Sequence, residues 1–336
     1  MTPRSLLHAC AVTVLAIVIV FPSAVSAREI LRFANTGGPN DDYTFGCNEF
    51  AKRLKELSGG NFDVKVMSNG VLGNDRVVCE MAQQGSLDIA LVGQSQFNLF
   101  VKPILAMDLP YMVAYENNQK VLEAFNPGGP LYEYVDAEAA GAGLKLLMTL
   151  DTPFRSYAFS SGVNVTGLDS VKGRKARVTM SPIEKAFVNA LGMNPCPLGW
   201  TEVYTALQQG TVDGELINVG TFASSKRDEV ENTILLTRHN MAKIFVVMNR
   251  KKFNAYPPEV RAQIMRAATE AQQEEWKVSA EFDRKGVQYF KERGVKLIEL
   301  TPEEKARMAE LMKPVYAEYE NRLDSAFVQL LKDVQK

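Results

Sequence analysis

Short apolar runs and stretches of helical spacing alternate along the first part of the chain. Residues 30–34 and 62–66 predict two strands, and the second is expected to be half-buried because its apolar and polar positions alternate. Between them, apolar residues recur at helical spacing from Phe45 to Leu57, and Gly59-Gly60 predicts the end of that helix. This strand–helix–strand order is typical of an α/β protein.

One six-residue phrase ends two of the predicted helices. QQGSLD at residues 83–88 returns as QQGTVD at residues 208–213, 125 positions later, and an apolar run follows each copy. A glycine after a helix supplies the left-handed residue that closes it, and the apolar run predicts a buried strand. Two such units predict two α/β lobes with a cleft between them. The alternative is that helix–Gly–strand turns are common in any α/β protein.

Further along, the pattern predicts that the chain crosses between these lobes more than once. Residues 145–150 predict the strand that opens the second lobe, and residues 176–178 predict a short strand within it. Ser181 and Glu184 have the spacing of a capping box for the helix that follows. The apolar strand at residues 244–248 is expected to return to the first lobe, and multiple crossings make a hinge.

The C-terminal part predicts an unusually long helix from Pro258 to Arg293, then a strand at 295–298 and further helices. The expected fold is therefore α/β, with two lobes around a hinge and a ligand cleft and a long C-terminal helix. We expect lobe I to contain residues 28–150 and about 241–280. Lobe II is expected to contain residues 151–240 and about 281–336.

Residues 1–27 are expected to be a cleaved secretory signal outside the fold. Arg4 gives a weakly basic start, residues 11–21 form an apolar stretch, and small residues precede position 28. The apolar stretch is shorter than the roughly 20 residues that a membrane span needs. The mature protein is therefore expected in an oxidising compartment outside the cytoplasm.

The charge pattern argues against a nucleic-acid partner, and the cysteines leave the question of a disulfide open. The chain has 38 basic and 39 acidic residues, and no basic stripe that would indicate a nucleic-acid partner. In an oxidising compartment Cys47 and Cys79 either form a disulfide or remain as buried free thiols, and the sequence leaves both alternatives open. Cys196 would then be unpaired.

The chain offers little to a catalyst. Of its two histidines, His8 lies in the predicted signal and only His239 remains. The sequence has no Cys-x-x-Cys, zinc-ligand spacing, P-loop or Gly-x-Gly-x-x-Gly turn. We therefore expect no enzyme activity, no metal and no cofactor. A secreted enzyme is the alternative, with His239 or Glu215 as the candidate general base.

Arg177 is the residue that most directly indicates a ligand. It lies in the short strand at 176–178, just before the helix that Ser181 begins. An arginine at a strand end can direct its planar guanidinium into a cleft and bind a carboxylate through two hydrogen bonds. The alternative is a surface arginine in an ordinary ion pair.

The ordered set of local motifs resembles the extracytoplasmic solute-binding subunit of tripartite ATP-independent periplasmic (TRAP) transporters, the dicarboxylate-binding protein family. The resemblance extends over essentially the whole mature chain. In the first lobe it depends on residues 58–60, 70–76, Glu80, 85–88 and 108–111. In the second lobe it depends on residues 168–173, Lys175, 177–178, 200–204, 206–208 and 212–214.

The resemblance implies a periplasmic binding protein-like fold and a set of ligand contacts. It implies that Arg177 makes the principal salt bridge to the ligand's carboxylate and that Arg155 is a second arginine. Trp200 matches an aromatic wall, and Asn218 lies one place from the position of a ligand-binding asparagine. Asn35 and Gln94 follow strand ends where other members place polar contacts.

The resemblance also implies a function and partners. The protein is expected to capture a small organic anion. Sugar acids, C4-dicarboxylates, hydroxy acids and small sulfonates all fit this expectation. A membrane permease is the expected partner, and the binding protein is expected to be a monomer. The alternative partner is a membrane sensor. Residues 35–43 lack the family's usual His-Pro, and Glu215 adds a negative charge, so these departures indicate a ligand subtype that the sequence does not name.

Overall fold

The computed structural model describes residues 28–336, apart from the side chain of Asp283, so the predicted signal at 1–27 lies outside the described residues. The strands are β1 Glu29–Ala34, β2 Phe62–Met67, β3 Ile89–Gly93, β4 Leu144–Ser160, β5 Lys175–Val178, β6 Asn194–Pro197, β7 Gly214–Asn218, β8 Glu231–Asn249 and β9 Lys296–Glu299. The helices are α1 Asp42–Leu57, α2 Asp75–Gln84, α3 Gln94–Phe97, α4 Asn118–Ala124, α5 Pro130–Gly141, α6 Pro182–Ala190, α7 Trp200–Gln208, α8 Val219–Ser224, α9 Arg250–Ala255, α10 Pro258–Arg293, α11 Pro302–Tyr319 and α12 Ser325–Asp333. The predicted α/β class is confirmed.

Two long antiparallel strands, β4 and β8, occupy the middle of one sheet. The strand order is β2-β1-β3-β8-β4-β7-β5-β6, and β9 pairs with β8. The second half of β8 pairs with β3 and with the start of β4, whereas its first half pairs with the end of β4. The predicted crossing at residues 244–248 is confirmed, but the strand is longer than predicted and begins at Glu231. Its apolar and polar residues alternate too irregularly in the first half to indicate a strand.

The two halves of the sheet have equivalent strand orders, because β2-β1-β3-β8 from one edge corresponds to β6-β5-β7-β4 from the other. The repeated phrase directly precedes β3 in one half and β7 in the other. Strand β1 pairs in parallel with β2 and β3, and β5 pairs in parallel with β6 and β7. Gly85 and Gly210 both have positive φ, 81° and 67°. The final aspartate of each copy accepts a backbone N–H at 2.7 Å, Asp88 from Arg32 and Asp213 from Lys175. Each copy therefore fixes the first strand of its own lobe.

The two cysteines of the first lobe lie on opposite faces of the sheet. Cys47 packs with Ile89 and Leu91 in one apolar cluster. Cys79 packs in another cluster with the β3 residues that point the other way. Both thiols are free, because the sheet separates them. Of the two alternatives that the sequence left open, buried free thiols are the one observed, and burial raises the pKa of both.

Helix α10 has the predicted bounds and follows β4 along one face of the sheet. Three buried polar residues at helical spacing bind the β4 backbone. The Gln272 side chain accepts from Thr149 N at 2.7 Å, Glu275 accepts from Asp151 N at 2.9 Å, and Ser279 donates to Asp151 O. These bonds satisfy backbone N–H and C=O groups of β4 next to the point where its register with β8 shifts. Within residues 28–336, no helix combines the length and apolar character needed to cross a membrane.

The last helix, α12, packs on the first-lobe side of the sheet. Phe327 and Leu331 lie in the same apolar cluster as Leu144 and Leu146, and the Phe327 ring lies 5.3 Å from that of Tyr134. The predicted lobe II, which contains residues of about 281–336, includes this segment. The lobe boundaries themselves stay a prediction.

Two buried carboxyl groups, one from α1 and one from α10, lie close enough to affect each other electrostatically. Asp42 is 1% exposed and Glu275 is fully buried, and one oxygen of each has no hydrogen-bond partner among the described residues. Burial, with smaller contributions from Asp41 and Asp151, raises the pKa of Asp42 to about 7, against the lowering effect of the hydrogen bond from Tyr43 N. Burial and then Asp42 raise the pKa of Glu275 well above its usual value. Folding therefore favours the protonated form of both carboxyls.

We expect the Asp42→Asn variant to lose less stability than the wild type when pH rises. The pKa of Asp42 is higher in the folded state, so its contribution is fully present below pH about 4 and is lost as pH rises through about 7. The difference between the variants should be on the order of a few kcal/mol. Urea unfolding at pH 5, 6, 7 and 8 measures it, with the exposed Glu116→Gln as control. Equal pH slopes for wild type and Asp42→Asn would contradict the assignment.

Candidate functional site

A cavity of about 130 Å³ lies where β4 and β8 change partners. Its walls come from the carboxyl ends of strands in both halves of the sheet, which is where open α/β sheets bind ligands. The first half contributes Thr36 and Gly93, and the second contributes Thr179 and Asn218. Helices α2 and α7 begin at the cavity, one from each half.

Arg177 lies in β5 and lines the cavity, although its side chain is almost fully buried. Its Nε and Nη2 both donate to the Leu198 carbonyl, at 3.1 and 3.0 Å. Among the described residues no carboxylate forms an ion pair with it. Burial lowers the pKa of Arg177, and Glu215 and Glu184 oppose that effect from a longer distance. The cavity therefore contains a buried cation with unused donors and no neutralising partner.

Arg155 also lines the cavity, but its charge is matched. It lies on β4, opposite Asn218 of β7 and Asn240 of β8 in the strand register. Its Nε donates to Asn240 at 3.0 Å, and its Nη2 lies 2.9 Å from a Glu184 oxygen. The Arg155 guanidinium is therefore already paired with Glu184 and hydrogen-bonded to Asn240.

Glu184 corrects the capping-box prediction. Ser181 accepts from Glu184 N at 3.3 Å, as expected, but the Glu184 carboxylate does not return to Ser181 N. It accepts instead from Thr179 N and Oγ1, at 2.8 and 2.6 Å, and pairs with Arg155. Although burial raises its pKa, Arg155 and the Thr179 bonds bring the pKa of Glu184 below its usual value. The ion pair with Arg155 of β4 is therefore formed in place of the local cap at Ser181.

Trp200 and Asn218 lie on the second-lobe wall. Trp200 is the first residue of α7 and lines the cavity, with the Arg227 guanidinium 4.6 Å from its ring centroid. Asn218 ends β7 and caps α8, where it accepts from Thr221 N and donates to Thr221 Oγ1, both at 2.7 Å. Its capping role fixes the orientation of its amide and leaves one amide N–H free for a ligand.

The two first-lobe predictions have different outcomes. Gln94 lines the cavity, but its amide accepts from Lys243 N at 3.0 Å and donates to Asp108 at 2.8 Å. Asn35 is not among the lining residues. Its amide donates to Thr44 Oγ1 at 2.6 Å and accepts from Gly37 N at 2.8 Å, so it holds the loop after β1. In this structure Asn35 therefore has a structural role in the loop, and its contact with a ligand stays a prediction.

Two charged lining residues were missed by the sequence analysis. Lys243 is fully buried on β8, pairs with Asp151 and donates to Asn118 at 2.9 Å. The available signal was a lysine within the apolar run of β8. By residue type either Asn74 or Asp75 could cap α2, but Asn74 is the cap and the Asp75 carboxylate lines the cavity. Because Asn and Asp are both preferred cap residues, the sequence does not show which of these two adjacent side chains is left to face the cavity.

Neither candidate general base lines the cavity. The His239 ring lies 3.9 Å from that of Phe187 and 5.5 Å from that of Tyr157, and burial lowers its pKa well below the usual value. Glu215 is fully buried and pairs with Arg227. Within residues 28–336, no group of three or more His, Cys, Asp or Glu residues is arranged to hold a metal ion.

Comparison with known proteins adds a family and several relatives. The family model "Bacterial extracellular solute-binding protein, family 7" matches residues 33–322. The chain is 28% identical over 279 residues to the 2,3-diketo-L-gulonate-binding periplasmic protein of Escherichia coli K12, covering 83% of each. It is 27% identical over 312 residues to the C4-dicarboxylate-binding periplasmic protein of Rhodobacter capsulatus, covering 92% of each.

Solved structures show the same fold. One is the sugar acid binding protein of Advenella mimigardefordensis in complex with galactonate, with a TM-score of 0.86 and 25% identity over 92% of this chain and 98% of that one. Another is a TRAP periplasmic solute-binding protein of a Bradyrhizobium species in complex with galacturonate, with a TM-score of 0.83 and 28% identity over 91% and 99%.

Proposed function

The chain belongs to family 7 of the bacterial extracellular solute-binding proteins, and from this membership we propose that its cavity captures a small organic acid for a TRAP-type membrane permease. The family is extracytoplasmic. We propose that this chain reaches the periplasm after removal of residues 1–27 and acts there as a monomer. Its role is binding and delivery, without chemical conversion of the ligand.

The observation that carries the proposal is the unmatched charge of Arg177. A buried cation without a counter-ion is costly, and a ligand anion removes that cost by pairing with it. Arg155 and Lys243 line the same cavity, but each already faces a carboxylate, Glu184 and Asp151 respectively. The ligand therefore places its acid group at Arg177 and extends along the β4–β8 crossing towards the first lobe.

The relatives indicate the ligand class. Their names and structures specify 2,3-diketo-L-gulonate, C4-dicarboxylates, galactonate and galacturonate. All of these are small carboxylates, so a carboxylate is the proposed acid group for this chain. Arginine also binds a sulfonate oxyanion through the same donors. Trp200 supplies an apolar wall, and Asn218 supplies one free N–H.

A thermal-unfolding screen of small carboxylates and sulfonates on the purified mature protein tests the proposal. A ligand at about 100 times its Kd should add about 2.7 kcal/mol of stability. The ligand recovered from the complex should be chemically unchanged by mass spectrometry. Neutral sugars of the same size serve as controls. Stabilisation by the neutral sugars alone, or conversion of the acid, would contradict a role as an organic-acid carrier.

A further inference from the structure

Asp75 presents a carboxylate to the cavity from the first lobe. It is the first residue of α2, and Asn74 caps that helix by accepting from Val77 N at 3.1 Å. The Asp75 carboxylate is therefore not needed as the cap. Its Oδ1 accepts from Thr36 Oγ1 at 2.6 Å and its Oδ2 accepts from Gly93 N at 2.7 Å. Each oxygen has a second lone pair that can accept a donor from a ligand.

The carboxylate is held in one orientation. Its two donors come from the chain just after β1 and from the last residue of β3, so both are anchored by the sheet. Gly93 allows the close approach, because a Cβ at this position would lie 3.0 Å from the Asp75 Oδ2 atom. A fixed acceptor of this kind selects ligands by the position of their donors.

The cavity therefore has an acidic wall and an aromatic wall at equivalent places in the two lobes. Asp75 and Trp200 begin the two helices that end in the repeated phrase, and both line the cavity. Asp75 and Arg177 are close enough for the charge of Arg177 to act on the Asp75 carboxylate, but the two side chains are not among the ion pairs of residues 28–336. Burial raises the pKa of Asp75, while its hydrogen bonds and the nearby Arg177 oppose that rise. One positive and one negative group thus remain available to a single ligand.

We propose that Asp75 is the specificity-determining residue that makes this cavity select hydroxylated monocarboxylates over dicarboxylates. This inference rests on the proposed function, with the ligand's carboxylate at Arg177. An ionised carboxylate only accepts hydrogen bonds, so Asp75 binds a hydroxyl of the ligand. A second carboxylate at that place would have no proton to donate and would be repelled by its like charge.

Matched ligand pairs test the proposal by isothermal titration calorimetry on the mature protein. Galactonate and galactarate, gluconate and glucarate, and threonate and tartrate differ within each pair only in a terminal hydroxymethyl or carboxylate group. We expect the wild type to bind at least one monoacid at least tenfold more tightly than its diacid. Asp75→Asn, which removes the charge, should reduce that ratio at least tenfold, and Asp75→Ser should do the same.

Asp88→Asn is the matched control, because Asp88 is another buried first-lobe carboxylate that accepts a backbone N–H but does not line the cavity. It should leave the ratio unchanged. Thermal unfolding shows whether each variant is folded. An unchanged ratio in folded Asp75 variants, or a wild-type preference for diacids, overturns the role of Asp75 and leaves the proposed function standing. Failure of the wild type to bind any organic acid overturns both.

Discussion

Replacing Arg177 with methionine is expected to weaken binding of the organic acid by at least about 30-fold. Truncating one partner of a buried, hydrogen-bonded charge pair costs about 2–5 kcal/mol, and Arg177 is the cavity cation that no carboxylate of the described chain neutralises. Arg177→Lys keeps the charge but loses the planar fork, so its affinity should fall between those of the wild type and Arg177→Met. Calorimetric titration with the ligand found by the stability screen measures the change.

The stability of the unliganded protein distinguishes loss of a contact from loss of the fold. Arg177→Met removes an unmatched buried charge, so the unliganded variant should unfold at a temperature equal to or higher than that of the wild type. At the same ligand concentration, its unfolding temperature should rise less than that of the wild type. Lys172→Met, an exposed cation of the same lobe, is the control and should bind normally. Wild-type affinity in Arg177→Met would remove this arginine from the site.

Replacing Lys243 with methionine is expected to destabilise the protein by about 3–5 kcal/mol, which is typical of breaking a buried ion pair on one side. Lys243 is fully buried and its partner Asp151 is almost fully buried. Without the lysine, Asp151 remains beside the buried carboxyls of Asp42 and Glu275. Urea unfolding at pH 7 measures the loss.

The double variant Lys243→Met with Asp151→Asn should recover much of that stability, because neither buried charge is then left alone. Lys172→Met breaks an exposed pair with Asp169 and should cost less than about 1 kcal/mol. A cost below about 1 kcal/mol for Lys243→Met would contradict the expected penalty for leaving the buried Asp151 charge unpaired. So would a double variant no more stable than the single one.

Local patterns predicted the residues whose position depends on a strand end or a helix start. As the local pattern predicts, Arg177 lies in a short strand just before a capped helix, and Trp200 opens the helix before the second copy of the repeat. The bounds of α10 followed from its uninterrupted helical pattern. These features depend on neighbours within a few residues, so the sequence carries them directly.

Residues whose role depends on a distant partner were misjudged or missed. Glu184 has the spacing of a local cap but pairs with Arg155, and Asp75 looks like a cap but faces the cavity. In each case two uses of one side chain compete, and the choice depends on what the fold brings within hydrogen-bond distance.

The sequence by itself determined the α/β class and the bounds of the long helix, and through the family resemblance it predicted Arg177 as an anion-binding residue. Hydrophobic periodicity, glycine turns and helix caps act over a few residues, which is why the chain shows them locally. Only the tertiary structure decided that Arg155 is neutralised while Arg177 is not, because the partners of Arg155 come from a neighbouring strand and a separate helix. The same holds for Lys243, whose partner Asp151 is 92 residues away. Electrostatic compensation acts through space, and the meeting of β4 with β8 sets which charges are left for a ligand.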